Sequence, residues 1–206
     1  MSNDLVLYTH PMSRGRVARW LLEEIGQPYR AELLEYGTTM KGADYLAINP
    51  MGKVPALRHG DTIVTESAAI CAYLADAFPQ AGLAPAPTSP ARGAYYRWLF
   101  FAAAPMENAM VTRNFGLNTT GDQQRMAGWG SYDLAVDTLE KAVAGREFLA
   151  GDRFSAADLY VAGLLGWGLS TGGLPPRQAF QDFAGRHASR PAAVRARELD
   201  DKLLAA

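Results

Sequence analysis

The sequence predicts a small α/β domain followed by an all-helical one, and three observations carry that prediction. Residues 1 to about 78 alternate strand and helix signals. The stretch PQAGLAPAPTSP, residues 79–90, then brings four prolines and little apolar periodicity, the composition of a linker. Beyond it, over residues 91–206, helical spacings stand with no strand pattern competing.

In the first domain, Leu5 to Tyr8 is an apolar run of strand length. Arg16 to Gly26 reads as a helix, because Val17, Leu21 and Ile25 recur at i, i+4 and i+8 and Gly26 supplies a stop. Tyr29, Ala31 and Leu33 alternate with Arg30 and Glu32, the period of a half-buried strand, and an irregular stretch with room for a short helix runs on to Pro50. Val54 to Leu57 and Thr62 to Val64 are two short strands joined through His59-Gly60-Asp61, a link short enough for an antiparallel hairpin. Ile70, Tyr73, Leu74 and Ala77 then form the i, i+3, i+4, i+7 stripe of a helix that packs on a sheet. In the second domain Tyr95 to Met110, Gly128 to Ala144, Ala156 to Leu169 and Arg190 to Leu204 suit helices.

Composition narrows the function. Hydrophobic residues at 49% and charged residues at 20% are ordinary globular usage. A net charge of −1 supplies no basic field, so neither nucleic acid nor a membrane is an expected partner. The longest charge-free run, Leu159 to Pro176, is broken by five glycines with Ser170 and Thr171, too interrupted to span a bilayer. The single cysteine, Cys71, has no internal disulfide partner and is read as buried and inert. With His10, His59 and His187 scattered, no metal site is expected, and the three histidines are read as surface residues. The N-terminal MSNDLVLYTH lacks the basic flank and long apolar run of a signal peptide, so the expected location is cytoplasmic.

Three stretches carry chemistry. Val54-Pro55 lies between a Gly-Lys turn and a strand; it is either an ordinary strand-start proline or a place where the main chain of Val54 is free to pair with an added extended peptide. Thr65-Glu66-Ser67 opens a helix, where orphan N–H groups and the dipole attract an anion and Glu66 offers a carboxylate to an ammonium; simple capping by Thr65 is the alternative. In YTHPMSRGR, Tyr8 to Arg16, a strand ends and a helix begins. Ser13, with Arg14 and Arg16 beside it, could donate to an anion in a positive helix-start field, or merely cap the helix. No Ser-His-Asp arrangement is indicated.

Taken together, LVLYTHPMSRGRVARWLLEEIG, NPMGKVPAL, TESAAICAYL and FLAGDRFSAADLYVAGLL resemble a cytosolic glutathione transferase over essentially the whole chain, in its bacterial, serine-type-like form. The resemblance implies a thioredoxin-like α/β N-terminal domain at 1–78, a linker at 79–90 and an all-helical domain at 91–206, usually in a homodimer. It implies glutathione as co-substrate, conjugated through its thiolate to small hydrophobic electrophiles in a detoxification role. Carried over, the family's cis-proline falls on Pro55, with Val54 making main-chain contacts to the cysteinyl part of glutathione. Glu66 and Ser67 fall on its γ-glutamyl site, and Lys53, with Lys41 behind it, on its glycyl carboxylate.

A free thiol has a pKa near 8.5, and lowering it by about two units takes about 2.7 kcal/mol of selective stabilisation, within reach of one good hydrogen bond and a helix-start field. Ser13 is placed as the serine-type classes place that donor; Tyr8, at the end of the first strand, sits where the tyrosine-type classes place theirs. No cysteine stands in this connection, which disfavours mixed-disulfide chemistry. The resemblance implies an acceptor site between the domains, with Met12, Met106, Met110 and Phe115 as an adaptable apolar wall. A glutathione-dependent isomerase or dehalogenase, or a non-catalytic binding protein, remain alternatives on the same fold.

The last stretch has a structural reading. Ser155 and Asp158 form a Ser-x-x-Asp variant of the capping box, with Phe154 and Leu159 as its hydrophobic staple. On sequence alone, Asp158→Ala is expected to lower stability by about 0.5–2 kcal/mol, read as a shift in the melting midpoint.

Overall fold

In the computed structural model, which describes residues 4–205, strands β1 (Leu5–Thr9), β2 (Arg30–Leu33), β3 (Ala56–His59) and β4 (Thr62–Thr65) form one sheet in the order β2-β1-β3-β4. Residues 1–3, expected to open the first domain, and Ala206 lie outside the described residues. β1 and β2 run parallel, as their helical crossover α1 (Gly15–Ile25) requires. The two remaining pairings are antiparallel, and β3 turns into β4 through Gly60-Asp61.

The sheet is covered on both faces because both faces of β1 are apolar. Val6 and Tyr8 pack with Tyr45 of the short helix α2 (Ala43–Leu46) on one side. On the other, α1 and α3 (Ser67–Ala77) pack together and bury Leu21, Leu22, Ile70 and Leu74 completely. Gly15 is there for contact: a Cβ at that position would fall 1.9 Å from the buried Thr9 Oγ1. Only glycine lets α1 start so close to β1.

The chain divides into two compact units, residues 1–83 with 190–206, and residues 84–189. This differs from the expected division into 1–78, 79–90 and 91–206. The C-terminal helix α10 (Pro191–Leu204) packs on α1, where Arg19 donates to Asp200 at 2.8 Å with both side chains almost wholly buried. Arg190 grips Glu24 with two nitrogens at 2.6 and 2.9 Å, and Arg195 reaches Glu23 at 3.2 Å. Periodicity marks α10 as a helix but carries no information on which partner its polar face seeks.

Every regular element among the second unit's described residues is helical. The expected helix from Tyr95 to Met110 is α4 (Ala91–Phe101) running into α5 (Glu107–Asn114) through a π-type turn at Ala102–Met106, where Pro105 has no N–H to offer the normal ladder. A short α6 (Gly121–Met126) precedes α7 (Tyr132–Val143), whose start is later than the expected Gly128 because Ser131 caps it, accepting from the Leu134 N–H at 3.1 Å. α8 (Ala156–Ser170) forms the centre, packed against α4 and α9 (Gln178–Ala188). α9 is not among the helices expected from the sequence, and His187, expected at the surface, is buried in it. His187 is 2% exposed, edge-on to Phe183 with the Phe154 ring alongside. His59 likewise is half-buried, stacked on Phe78 and bonded to the Tyr73 hydroxyl at 2.9 Å.

The capping box at α8 is present and extends further than its motif. Asp158, 0% exposed, accepts from the Ser155 N–H at 2.8 Å and the Ser155 hydroxyl at 2.7 Å, and its other oxygen accepts from the Leu149 N–H at 2.7 Å. Because Asp158→Ala would strand those buried donors, the expected loss rises to about 2–4 kcal/mol, measurable as a fall in denaturant midpoint at unchanged slope. Gly15→Ala is expected to cost about 2 kcal/mol by overpacking against Thr9, read in the same titration.

Candidate active site

Strand register assembles the site. Across the sheet Tyr8 stands opposite Ala56, and Ala56 opposite Thr65. The loop after β1, the Val54-Pro55 pair before β3 and the Glu66-Ser67 pair after β4 therefore emerge at one end of the sheet. The sequence-predicted donors and glutathione-contacting residues belong to these segments or to the connection after β2, which holds Lys41 and the 49–53 turn, except Tyr8, which lies within β1.

The Val54–Pro55 peptide bond is cis. Neither the N–H nor the C=O of Val54 makes a backbone hydrogen bond among the described residues, so both remain available to an extended peptide. The turn leading into it is held from below. The Tyr45 hydroxyl and the Asn49 amide both donate to the Lys53 carbonyl, at 2.6 and 2.8 Å, and the Asn49 side-chain oxygen accepts from the Met51 N–H at 3.1 Å. Burial pushes the Tyr45 phenol up to about 12, keeping it a donor at any physiological pH. Gly52, at φ +55°, permits the tight approach, since a Cβ there would lie 2.7 Å from the Met40 carbonyl. Tyr45 and Asn49 were not singled out from sequence; the turn-forming Asn49-Pro50 dipeptide was the available signal.

The Lys53 ammonium is exposed and has no ion pair among the described residues, whereas Lys41 donates to the Met51 carbonyl at 3.0 Å. Glu66 is the cap residue of α3, not Thr65, and no side chain caps that helix. Glu66 is also the one non-glycine residue with positive φ among the described residues, at φ 66° and ψ 119°. Its carboxylate and the Ser67 hydroxyl have no partner among the described residues. A strained acid, a hydroxyl without a partner and uncapped amides thus stand together at one helix start.

Ser13 is 6% exposed. Its hydroxyl donates to the His10 carbonyl at 2.7 Å and accepts from the Gly15 N–H at 2.9 Å. His10 is half-buried: Nδ1 accepts from the Met12 N–H at 3.0 Å, and Nε2 stands 3.6 Å from the Glu35 carboxylate. Tyr8 is buried beside Tyr45 with ring centroids 5.6 Å apart, and its hydroxyl has no hydrogen-bond partner among the described residues. Of the expected apolar wall, Met12 and Phe115 are exposed. Met106 and Met110 are not: both are buried in the helical unit, where Met110 lies against Gly168 and Gly173. Cys71 is fully buried and its thiol is pushed up to about 12 by that burial, which makes it unreactive. Among the described residues no cluster of His, Cys, Asp or Glu could hold a metal, and no helix is long and apolar enough to cross a membrane.

Residues 12–77 match the family model of the glutathione S-transferase N-terminal domain, and residues 109–191 that of the C-terminal domain. Glutathione S-transferase GstB of Escherichia coli strain K12 is 33% identical over 183 residues, covering 83% of this chain and 86% of that protein. Glutathione S-transferase GST-4.5 of Xanthomonas campestris is 29% identical, covering 84% and 89%. A sphingomonad glutathione S-transferase solved in complex with glutathione superposes with a TM-score of 0.78 at 32% identity, covering 95% of this chain and 98% of that one.

The backbone at residue 66 generates a stability prediction. Replacing Glu66 by Gly is expected to leave the protein about 1 kcal/mol more stable than replacing it by Ala, the reverse of the order inside a helix. Thermal melts of the two variants side by side measure it.

Proposed function

We propose how this chain, which belongs to the glutathione S-transferase family and is a glutathione transferase with glutathione as co-substrate, binds and activates its thiol. The carrying observation is the cis Val54–Pro55 bond with both backbone groups of Val54 unbonded, at the same end of the sheet as Ser13 and Glu66. Val54 pairs with the cysteinyl main chain. Glu66 takes the γ-glutamyl ammonium while Ser67 and the first amides of α3 take its carboxylate. Lys53 is the stronger partner for the glycyl carboxylate, since one donor of Lys41 is already committed to Met51.

Ser13 is the thiolate donor. The Gly15 N–H polarises its hydroxyl, and turning the proton from the His10 carbonyl to sulfur replaces a neutral hydrogen bond with a charge-assisted one. The thiolate then forms a bond to an electrophilic carbon, and the leaving group, a halide for an aryl halide, departs with the electron pair. One observation favours a second reading, in which Tyr8 donates: its hydroxyl has no partner, and its ring packs in a cluster that includes Val54. Small hydrophobic electrophiles are the acceptor class, which gives the protein a detoxification role in the cytoplasm, as a homodimer. The isomerase, dehalogenase and non-catalytic readings remain as alternatives that a panel of electrophiles tests.

Ser13→Ala is expected to lower kcat/KM for conjugation to an aryl halide about 10–100-fold while the protein is still retained on immobilised glutathione. Full activity in Ser13→Ala with loss in Tyr8→Phe assigns the donor to Tyr8. A wild-type protein that passes through the glutathione matrix unretained overturns the binding site itself.

A further inference from the structure

The helix from the far end of the chain reaches the thiol-activating loop. Arg16 lies one residue inside α1, and its guanidinium divides between two partners: Nε donates to the Pro11 carbonyl at 2.6 Å and Nη2 to Asp201 at 2.7 Å. Asp201 sits on α10 next to Asp200, whose buried pairing with Arg19 at 2.8 Å fixes the register of α10 on α1. Pro11 is the residue after His10, whose carbonyl receives both the Ser13 hydroxyl and the Ser13 N–H, at 2.7 and 3.0 Å. A continuous chain of contacts thus runs from the buried pair through Asp201 and Arg16 to the turn that orients Ser13.

The geometry points to Arg16, held by Asp201 of the C-terminal helix, as a positioning residue for the Ser13 hydroxyl. This rests on the reading of Ser13 as thiolate donor. The planar fork is what the task needs, because one guanidinium can hold a carbonyl and a carboxylate in fixed directions, whereas an ammonium carries the same charge at a single point. The Arg16 side chain is 27% exposed and doubly engaged. A hydroxyl misplaced by even a fraction of an ångström loses most of its advantage in stabilising the developing reactive group, so loosening the turn weakens catalysis without touching glutathione contacts.

The test uses Arg16→Lys, which keeps the charge, and Arg195→Lys as comparator, which weakens another contact of the same helix pair, on the Glu23 side, away from the loop. In Arg16→Lys, kcat with an aryl halide is expected to fall about tenfold with KM for glutathione within about twofold of wild type, and amide hydrogen exchange at Ser13 and Gly15 to rise about tenfold. Arg195→Lys is expected to show neither change. Wild-type kcat and loop exchange in Arg16→Lys, or equal effects in both variants, overturn the positioning role. If wild type neither binds glutathione nor turns over any electrophile, the functional reading falls and takes the catalytic part of this inference with it. Because exchange is measured without substrate, the two failures are distinguishable.

Discussion

The register of three strands is the constraint on which the first unit depends. With Tyr8, Ala56 and Thr65 side by side, the residues that follow β1, precede β3 and follow β4 have to share one end of the sheet. A slip of one residue in either pairing would turn Tyr8 or Ala56 to the opposite face and move a loop by one residue spacing. Register is held by burial on both faces of β1, with Tyr8 and Val6 against Tyr45 and Leu7 toward α1 and α3. The groups proposed to recognise glutathione are mostly main chain or residues at helix starts, so on that proposal positions of the backbone, more than side-chain identity, define the cradle.

A second layer of control is electrostatic. The pair between Arg19 and Asp200 is nearly dry, and each residue carries a further buried polar atom, Arg19 Nη2 and Asp200 Oδ2, without a hydrogen-bond partner among the described residues. Desolvation offsets much of such a pair's attraction, so its contribution is to the choice of partner and register more than to net stability. The less buried pairs around it then fall into line, Arg190 with Glu24 and Arg195 with Glu23 on the side toward the end of α1, and Arg16 with Asp201 on the side toward its start.

Much of this was legible in the sequence because it is local. The strands β1 to β4, the helices α1 and α3, and the cap at Asp158 follow from period and end signals within short windows. Three of the motifs that resemble glutathione transferases hold the proposed site residues, and register brings the segments around β1, β3 and β4 to one end of the sheet. What escaped was long-range or masked by residue type. α9 carries Phe180, Phe183, Ala184 and His187 at i, i+3, i+4 and i+7, a complete stripe once the histidine is counted as buried. Met106 and Met110 are apolar in either setting, and nothing in their spacing distinguishes core from a ligand wall. Tyr45 and Asn49 act on a carbonyl, which leaves no side-chain signature at Lys53. The partner of α10 lies about 180 residues away along the chain, as Arg19 and Asp200 show, and no window sees that far.

That distance has a consequence for how the molecule is made. The sheet, α1 and α3 leave the ribosome before α10, so the acidic and basic groups of α1 wait for their α10 partners until that 14-residue helix has emerged. Synthesis is vectorial, and a domain ordinarily folds as its own segment appears. Here the unit that holds the sheet is completed only after the whole helical unit has been translated, so a part of the protein made early is finished late.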